Sequence, residues 1–375
     1  KEGIKLLNVA NIEKNGQLNL GKTDRYLAPD EANGKYAHFL LDEGDLVIAS
    51  SGISFDTDGM LRTRGAFVER EHLPLCLNTS TIRFKPKDGR SDLKFLRHWL
   101  DGSEFRGQIT KLVTGSAQQN FGPTHLKALR ISVPPLEEQR RIAAILDQAE
   151  TLRTQRRTAL ALLDSLTQSL FLDMFGDNKT ILTRWPVKNL GASLDFLTSG
   201  SRGWASYYAE SGDLFLRIQN VRNDEPSLED VAYVKAPDTA EARRTLVQPG
   251  DVLLSITADL GRTAVVPDDI GRAFINQHLS ILRTKALIPR FLSAYISSPI
   301  GQQQVMGRNK QGVKAGLNFD DIRSFQIPHP PITLQQTFAT RIAAIEALKA
   351  THRRALAALD ALFASLQQRA FAGQL

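Results

Sequence analysis

The stretch from Pro134 to Gly176 occurs twice in this chain, and its second copy runs from Pro330 to about Ala372. A shift of 196 positions, with no gap, puts Pro134-Pro135 on Pro330-Pro331, Gln139 on Gln335, Leu163-Asp164 on Leu359-Asp360, Ser169-Leu170 on Ser365-Leu366 and Phe175 on Phe371. Each copy reads as one long helix. Written in sevens, the first places Ile142, Ala149, Arg156, Leu163 and Leu170 at one core position, with Ile145, Leu152, Ala159 and Leu166 three residues on. The second places Phe338, Ile345, His352, Leu359 and Leu366 there, with Leu348, Ala355 and Leu362 beside them. Such a seam lets helices pair along their length. Pro-Pro supplies an abrupt start, and Gly176 or Gly373 a stop. Roughly 40 residues at about 1.5 Å each make a rod on the order of 60 Å long. A long repeat with an unlike globular segment ahead of each copy predicts two modules mounted on a common ruler.

The chain then divides into a first module (1–133), a first spacer helix (134–178), a second module (179–328) and a second spacer helix (329–375). The modules echo one another. Asn8-Val9-Ala10-Asn11-Ile12 returns as Arg217-Ile218-Gln219-Asn220-Val221, and the strand opened by Gly44-Asp45 returns at Gly250-Asp251. Amphipathic helices are expected at Leu93–Gln108 and Pro289–Gln304. The second module has about 33 further residues at its front, including Arg184-Trp185-Pro186, whose counterpart is missing from the first. With no Met at position 1, the expectation is that the sequence lacks its true beginning. The fold class expected is α+β, with two α/β modules alternating with two long helices in a pseudo-two-fold repeat.

Composition narrows the function classes. With 42% apolar and 23% charged residues the chain is of ordinary soluble type. No apolar run approaches the roughly 20 residues of a membrane span, and no signal-peptide pattern opens the chain, so the default location is the cytoplasm. Cys76 is the only cysteine and the seven histidines are scattered, so no disulfide framework or metal site is expected. The formal charge is +7, and each module is mildly basic, as a protein that touches phosphates should be.

Two groups of residues invite a chemical reading. Gly16 to Thr23 matches the phosphate-loop pattern G-x-x-x-x-G-K-[ST]. A working loop hands its phosphates to the N-terminus of a following helix, and Pro29 leaves no room for one. The match is therefore read as chance, although a P-loop ATPase is the enzyme alternative it would support. The second group lies in loops rich in side chains able to pair with purine edges in the major groove. In the first module these are Arg62, Arg64, Lys111, Ser116, Gln118 and Gln119. In the second they are Ser201, Arg202, Trp204, Arg262, Arg308, Lys310, Gln311 and Lys314. Each taken singly could be a solvated turn residue. Asn120-Phe121 and Asn318-Phe319, shared by both modules, read as structural.

The run Val133-Pro134-Pro135-Leu136-Glu137-Glu138-Gln139-Arg140-Arg141-Ile142, with the long helix and its terminal Met174-Phe175-Gly176, resembles the first conserved helix of the specificity subunit of type I restriction-modification systems. The resemblance implies two target-recognition domains alternating with two helices that pack as an antiparallel coiled coil. It implies that each domain reads half of a bipartite site in double-stranded DNA. It also implies that the helices dock two methyltransferase subunits, Glu137, Glu138 and Gln139 among the docking residues, and that motor-nuclease subunits complete the complex. The second helix lacks the Glu-Glu-Gln of the first. Neither Pro-Pro sits in the Asn/Asp-Pro-Pro-aromatic motif of an adenine methyltransferase, and neither Asp92-Leu93-Lys94 nor Asp177-Asn178-Lys179 has the Pro-Asp a nuclease would need. No catalytic residue is therefore expected, and S-adenosylmethionine, ATP and Mg2+ belong with the partners. Arg156 and His352, near the middle of their rods, are expected to fix the helix register. A coiled-coil adaptor that binds protein is the other alternative.

Overall fold

The computed structural model describes residues 3–13, 15–51, 54–55, 61–86, 89–113, 120–222, 224–308 and 316–375. They gather into two compact units, Lys1–Thr158 with Arg353–Leu375, and Ala159–His352. Each unit holds one module and part of both spacer helices, which run Leu136–Phe175 and Ile332–Phe371, 40 residues apiece.

Within each unit the two helices pack antiparallel. In the first, Ile142 and Leu146 share a core with Ala370, while Arg153, further along, meets Asp360 and lays its guanidinium 4.4 Å from the Phe363 ring. In the second, Asp164 meets Lys349 and Phe171 stands edge-on to Phe338 at 5.7 Å.

The seam itself corrects the pattern read in sevens. The first core line, from Ile142 and Phe338, is turned inward as expected, but the second lies four residues on rather than three. It comprises Leu146, Arg153, Leu160, Thr167 and Met174 in one helix and Ile342, Lys349, Leu356, Phe363 and Ala370 in the other. Leu152, Leu166, Leu348 and Leu362, expected inside, are 41%, 46%, 51% and 50% exposed. Each helix pair also has a third neighbour. The module helix Leu93–Asp101 packs Phe95 against Ile142, Ala143 and Leu146, so that Leu146 is buried while Ile145 is only half-buried. The equivalent helix Pro289–Ser297 brings Phe291 against Phe175 at 4.7 Å, as Phe95 meets Phe371 at 5.1 Å. Both pairs are related by the same 196-residue shift.

Each module is built from a parallel strand pair and an antiparallel sheet. In the first, Ile4–Leu7 runs parallel to Leu75–Leu77, and Leu46–Ala49 lies between Gly65–Phe67 and Thr81–Phe84. In the second, Asp213–Leu216 runs parallel to Ala273–Ile275, and Val252–Ser255 lies between Thr263–Val265 and Leu279–Thr284. The extra segment of the second module supplies a further antiparallel strand, Leu194–Ser199, on Leu279–Thr284. Among the described residues, Thr81–Phe84 has a strand on one side only.

The Gly-Asp that opens each central strand has a physical reason. Gly44 and Gly250 take φ of 85° and 81°, a conformation that costs a side-chain-bearing residue free energy. The aspartate that follows is buried and accepts from the backbone N–H three residues back, Asp45 from Asp42 at 2.9 Å and Asp251 from Gln248 at 2.7 Å. Arg283 then clasps Asp251 with two bonds, of 2.7 and 2.8 Å.

Candidate nucleic-acid interface

The same corner is built in both modules, at the end of the central strand. In the second module, the Ile256 N–H donates to the His278 carbonyl at 2.9 Å and the Leu317 N–H to the Ile256 carbonyl at 2.9 Å. The Asn276 side chain accepts from the His278 N–H at 3.1 Å, and its carbonyl accepts from Leu279 at 3.1 Å. In the first module, Ser50 N–H donates to Ser80 at 3.0 Å, Phe121 N–H to Ser50 at 2.9 Å, and Thr81 N–H to Asn78 at 3.1 Å. The Asn78 side chain accepts from the Ser80 N–H. Four bonds are thus matched one for one.

Beside each corner a buried asparagine, Asn11 or Asn220, accepts from the N–H of Asn8 or Arg217, both at 2.9 Å. In the second module the chain also doubles back at Gly200, whose N–H reaches the Leu279 carbonyl at 3.0 Å. A Cβ there would lie 2.1 Å from the Asn276 carbonyl oxygen, so only glycine allows this approach.

The side chains on this common frame differ. Thr79 and Ser80 of one corner stand where Gln277 and His278 stand in the other, and Ser51 where Thr257 stands. The Ser80 hydroxyl donates to Asn78. His278 is held at both ring nitrogens, Nδ1 by the Thr257 hydroxyl and Nε2 by the Gln277 amide at 3.0 Å. Next to Thr257, Ala258 takes φ of 60°, an uncommon conformation for a residue with a Cβ.

The residues expected to touch DNA are distributed unevenly. Arg202 and Lys111 are exposed, the latter in the last turn of the helix Ser103–Leu112. Ser201 joins the second corner by a bridge to Asn276, and its buried hydroxyl has no partner among the described residues. Arg64 is half-buried and its carbonyl accepts from Ala49 at 2.8 Å; Arg62 is placed by its backbone, in the strand Leu61–Arg62. Arg262 is paired with Asp259. Ser116, Gln118, Gln119, Lys310, Gln311 and Lys314 lie outside the described residues.

Two expectations are corrected. Trp204 is 6% exposed and sits 5.0 Å from Phe215 and 5.2 Å from Phe274, so its ring belongs to the core and not to a surface. Arg308 donates to the Ser324 hydroxyl at 2.6 Å, to its carbonyl at 2.8 Å and to the Gln304 carbonyl at 3.1 Å, and lies over Phe325. Its donors close the module rather than face a ligand. The pairing of Asn120-Phe121 with Asn318-Phe319 also slips by two. Phe121 and Leu317 are equivalent buried residues, while Asn318 caps the short helix Phe319–Arg323 where Gly122 precedes Pro123–Ala128.

Of the docking residues, Glu137 and Glu138 are solvent-facing and paired with Arg140 and Arg141, both at 2.7 Å. The Arg141 hydrogen bond holds the Glu138 carboxyl below its usual range. Gln139 is corrected: it is fully buried and cannot meet a partner. Its amide oxygen accepts from the Asp92 N–H at 2.8 Å, and its nitrogen donates to Pro134 at 2.8 Å and Arg90 at 3.0 Å. Gln335 repeats this, accepting from Ile288 at 2.9 Å and donating to Pro330 at 2.8 Å. Arg156 and His352 are half-buried on the first core line.

The phosphate-loop alternative finds no support. Gly16 to Thr23 forms a single 3-10 turn, Leu20–Lys22, capped by Asn19 and followed by the short strand Tyr26–Leu27. Lys22 is paired with Glu13 at 2.9 Å. Among the described residues, no cluster of three or more His, Cys, Asp or Glu could hold a metal, and no helix is long and apolar enough to cross a membrane.

A family model described as the type I restriction modification DNA specificity domain matches residues 6–161 and again residues 215–360. The specificity subunit of the type I restriction enzyme EcoKI of Escherichia coli strain K12 is 26% identical over 317 residues, 75% of this chain. The chain spans 65% of the length of that relative. A crystal structure of a type I restriction-modification system S subunit from M. genitalium shares the fold with a TM-score of 0.57, at 15% identity over 89% of this chain and 84% of that one. A second structure, concerned with complex assembly and conformational transition of the type I R-M system, gives 0.53, at 20% identity over 90% and 83%.

Proposed function

The chain belongs to the family of type I restriction modification DNA specificity domains, and from that premise we propose that it is the sequence-reading subunit of a type I restriction-modification complex. Each module reads one half of a bipartite site in double-stranded DNA. The spacer helices set the distance between the halves and dock two methyltransferase subunits, with motor-nuclease subunits joining in the cytoplasm. The chain performs no chemistry itself. S-adenosylmethionine, ATP and Mg2+ act in the partners, which also extrude the target base.

The observation that carries this reading is the repeated corner. Two surfaces with unlike side chains stand on one backbone frame. Each module is tied to the spacer helices by a buried glutamine. Exposed Lys and Arg supply salt-dependent phosphate affinity and register, and the polar corner side chains supply discrimination. Rigid helices convert protein geometry into half-site spacing. Arg156 and His352, on the inward line of their helices, contribute to that register, and replacing both with Leu should alter the tolerated spacing.

The test is methylome sequencing of a host that expresses this chain with its cognate methyltransferase. Methylated adenine in a split motif, present only when both are expressed, is the expected result. Co-purification of the two proteins with no new methylation would refute sequence reading, and failure to co-purify would favour the adaptor alternative.

A further inference from the structure

We propose that Gln277, steered by His278, is the principal base-discriminating side chain of the second module, and that Thr79 holds the equivalent place in the first. The inference rests on the DNA-reading function above and goes beyond it to particular atoms.

Positions that build the frame keep their chemistry in both modules. Asn11 and Asn220, Gly44 and Gly250, Asp45 and Asp251, and Asn78 and Asn276 are identical pairs with matching bonds. The turn residues that follow Asn78 and Asn276 do not match, although their backbones are held by the same contacts. A frame preserved under divergent polar side chains is what two readers of unlike half-sites require.

The hydrogen bonds around His278 specify what Gln277 offers. The amide nitrogen of Gln277 donates to Nε2, which must therefore carry the lone pair. Nδ1 then carries the proton and donates to the Thr257 hydroxyl. Gln277 has one amide hydrogen left over, and its carbonyl oxygen is without a partner among the described residues. A donor and an acceptor side by side on one planar amide match N7 and the exocyclic amine of adenine. The Thr257–His278–Gln277 chain fixes the amide before DNA arrives, so less freedom is lost on binding. It lies half-exposed and outside the apolar cores, so packing does not account for it. Thr79 is exposed and offers a hydroxyl and a methyl group, a different readout.

The experiment is selection from a random duplex library by the unaltered chain, by Gln277→Ala, and by Gln277→Thr combined with His278→Ser, which grafts the first module's residues onto a frame that already accepts them. The unaltered chain should return a split motif. In Gln277→Ala one position of one half-site should lose its adenine preference, by roughly 5- to 150-fold for a paired amide contact. The other half-site and the affinity for unrelated DNA should stay constant. The graft should change the same position. An unchanged motif in both folded variants overturns the assignment. So does an equal loss of affinity for every sequence at an unaltered unfolding midpoint, which would mark a backbone-contacting role. No motif from the unaltered chain would instead overturn DNA reading itself.

Discussion

Lys349 and Asp164 lie 2.9 Å apart, Nζ to Oδ1, joining the second spacer helix to the first, with the lysine side chain only 3% exposed. Shifted by 196 positions, the pair becomes Arg153 and Asp360, 2.6 Å apart in the other unit. Each cation also meets a glutamate three residues before it, Glu346 for Lys349 at 3.2 Å and Glu150 for Arg153. A polar residue on a helix seam specifies register because a slipped alignment strands its charge among apolar side chains. Here Lys349 lies on one line with Ile342 and Leu356.

Removing Lys349 should therefore cost more than an exposed ion pair would. Lys349→Ala is expected to lower stability by about 1–3 kcal/mol, below the cost of breaking a fully buried pair because Asp164 is 65% exposed. A double-mutant cycle with Asp164→Ala, read by denaturant midpoints, should return a favourable coupling. Additive losses would show that the lysine acts through its packing alone.

Gln139 and Gln335 should be less replaceable than their solvent-facing neighbours. Each satisfies backbone groups at the start of a module helix and of a spacer helix. Truncation to Ala leaves those groups buried and unpaired, at about 2–4 kcal/mol for the set. Glu138→Ala, on the surface, should leave the unfolding midpoint close to that of the unaltered chain. Equal effects from the two substitutions would contradict the assignment of Gln139 as an internal fastener.

The helices, their repeat and the equivalence of the modules were legible because apolar periodicity and identical residues are properties of the sequence itself. The second core line was not. Leu152 and Leu166 are as apolar as Leu146 and Leu160, and only packing between elements distant in sequence, such as Phe95 on Leu146, separates the buried line from the exposed one. Gln139 read as a docking residue because an exposed glutamine and a buried one look alike in sequence; its exact repetition at Gln335 was the available signal. Trp204 and Arg308 misled for a related reason. Each is a residue type favoured at interfaces, and partners distant in sequence, such as Phe274 and Ser324, consume it. Nothing local distinguishes Asn78 and Asn276, whose side chains hold turns, from asparagines in solvent.

Acid should loosen the first unit through Asp147. The His98 hydrogen bond, and then that of Lys94, hold its carboxyl below the ordinary value while burial opposes them. A depressed carboxylate stabilises the fold above the unfolded value, about pH 4, and that stability is lost as pH falls through the lower, folded value. Asp147→Asn should thus be less stable than the unaltered chain at pH 6, and the two should converge as pH falls through the depressed, folded value of Asp147. Parallel pH profiles would exclude this pair as a contributor.

The displaced seam leaves a second apolar line on the outside, with Leu152 and Leu362 exposed in one unit and Leu166 and Leu348 in the other. The same shift of 196 relates the two pairs. On the proposed docking of two methyltransferase subunits, these leucines, repeated on two helices, are the surfaces to test. Changing Leu166 and Leu348 together to Glu should leave the unfolding free energy within about 1 kcal/mol, since neither side chain is buried. It should reduce co-purification of the methyltransferase at least tenfold, about 1.4 kcal/mol or more of binding. The same change at Leu152 and Leu362 should remove the other copy, so that either pair alone leaves one methyltransferase per chain and all four changes leave none. Retention of two copies by the fourfold variant, measured by native mass, would place docking elsewhere on the chain.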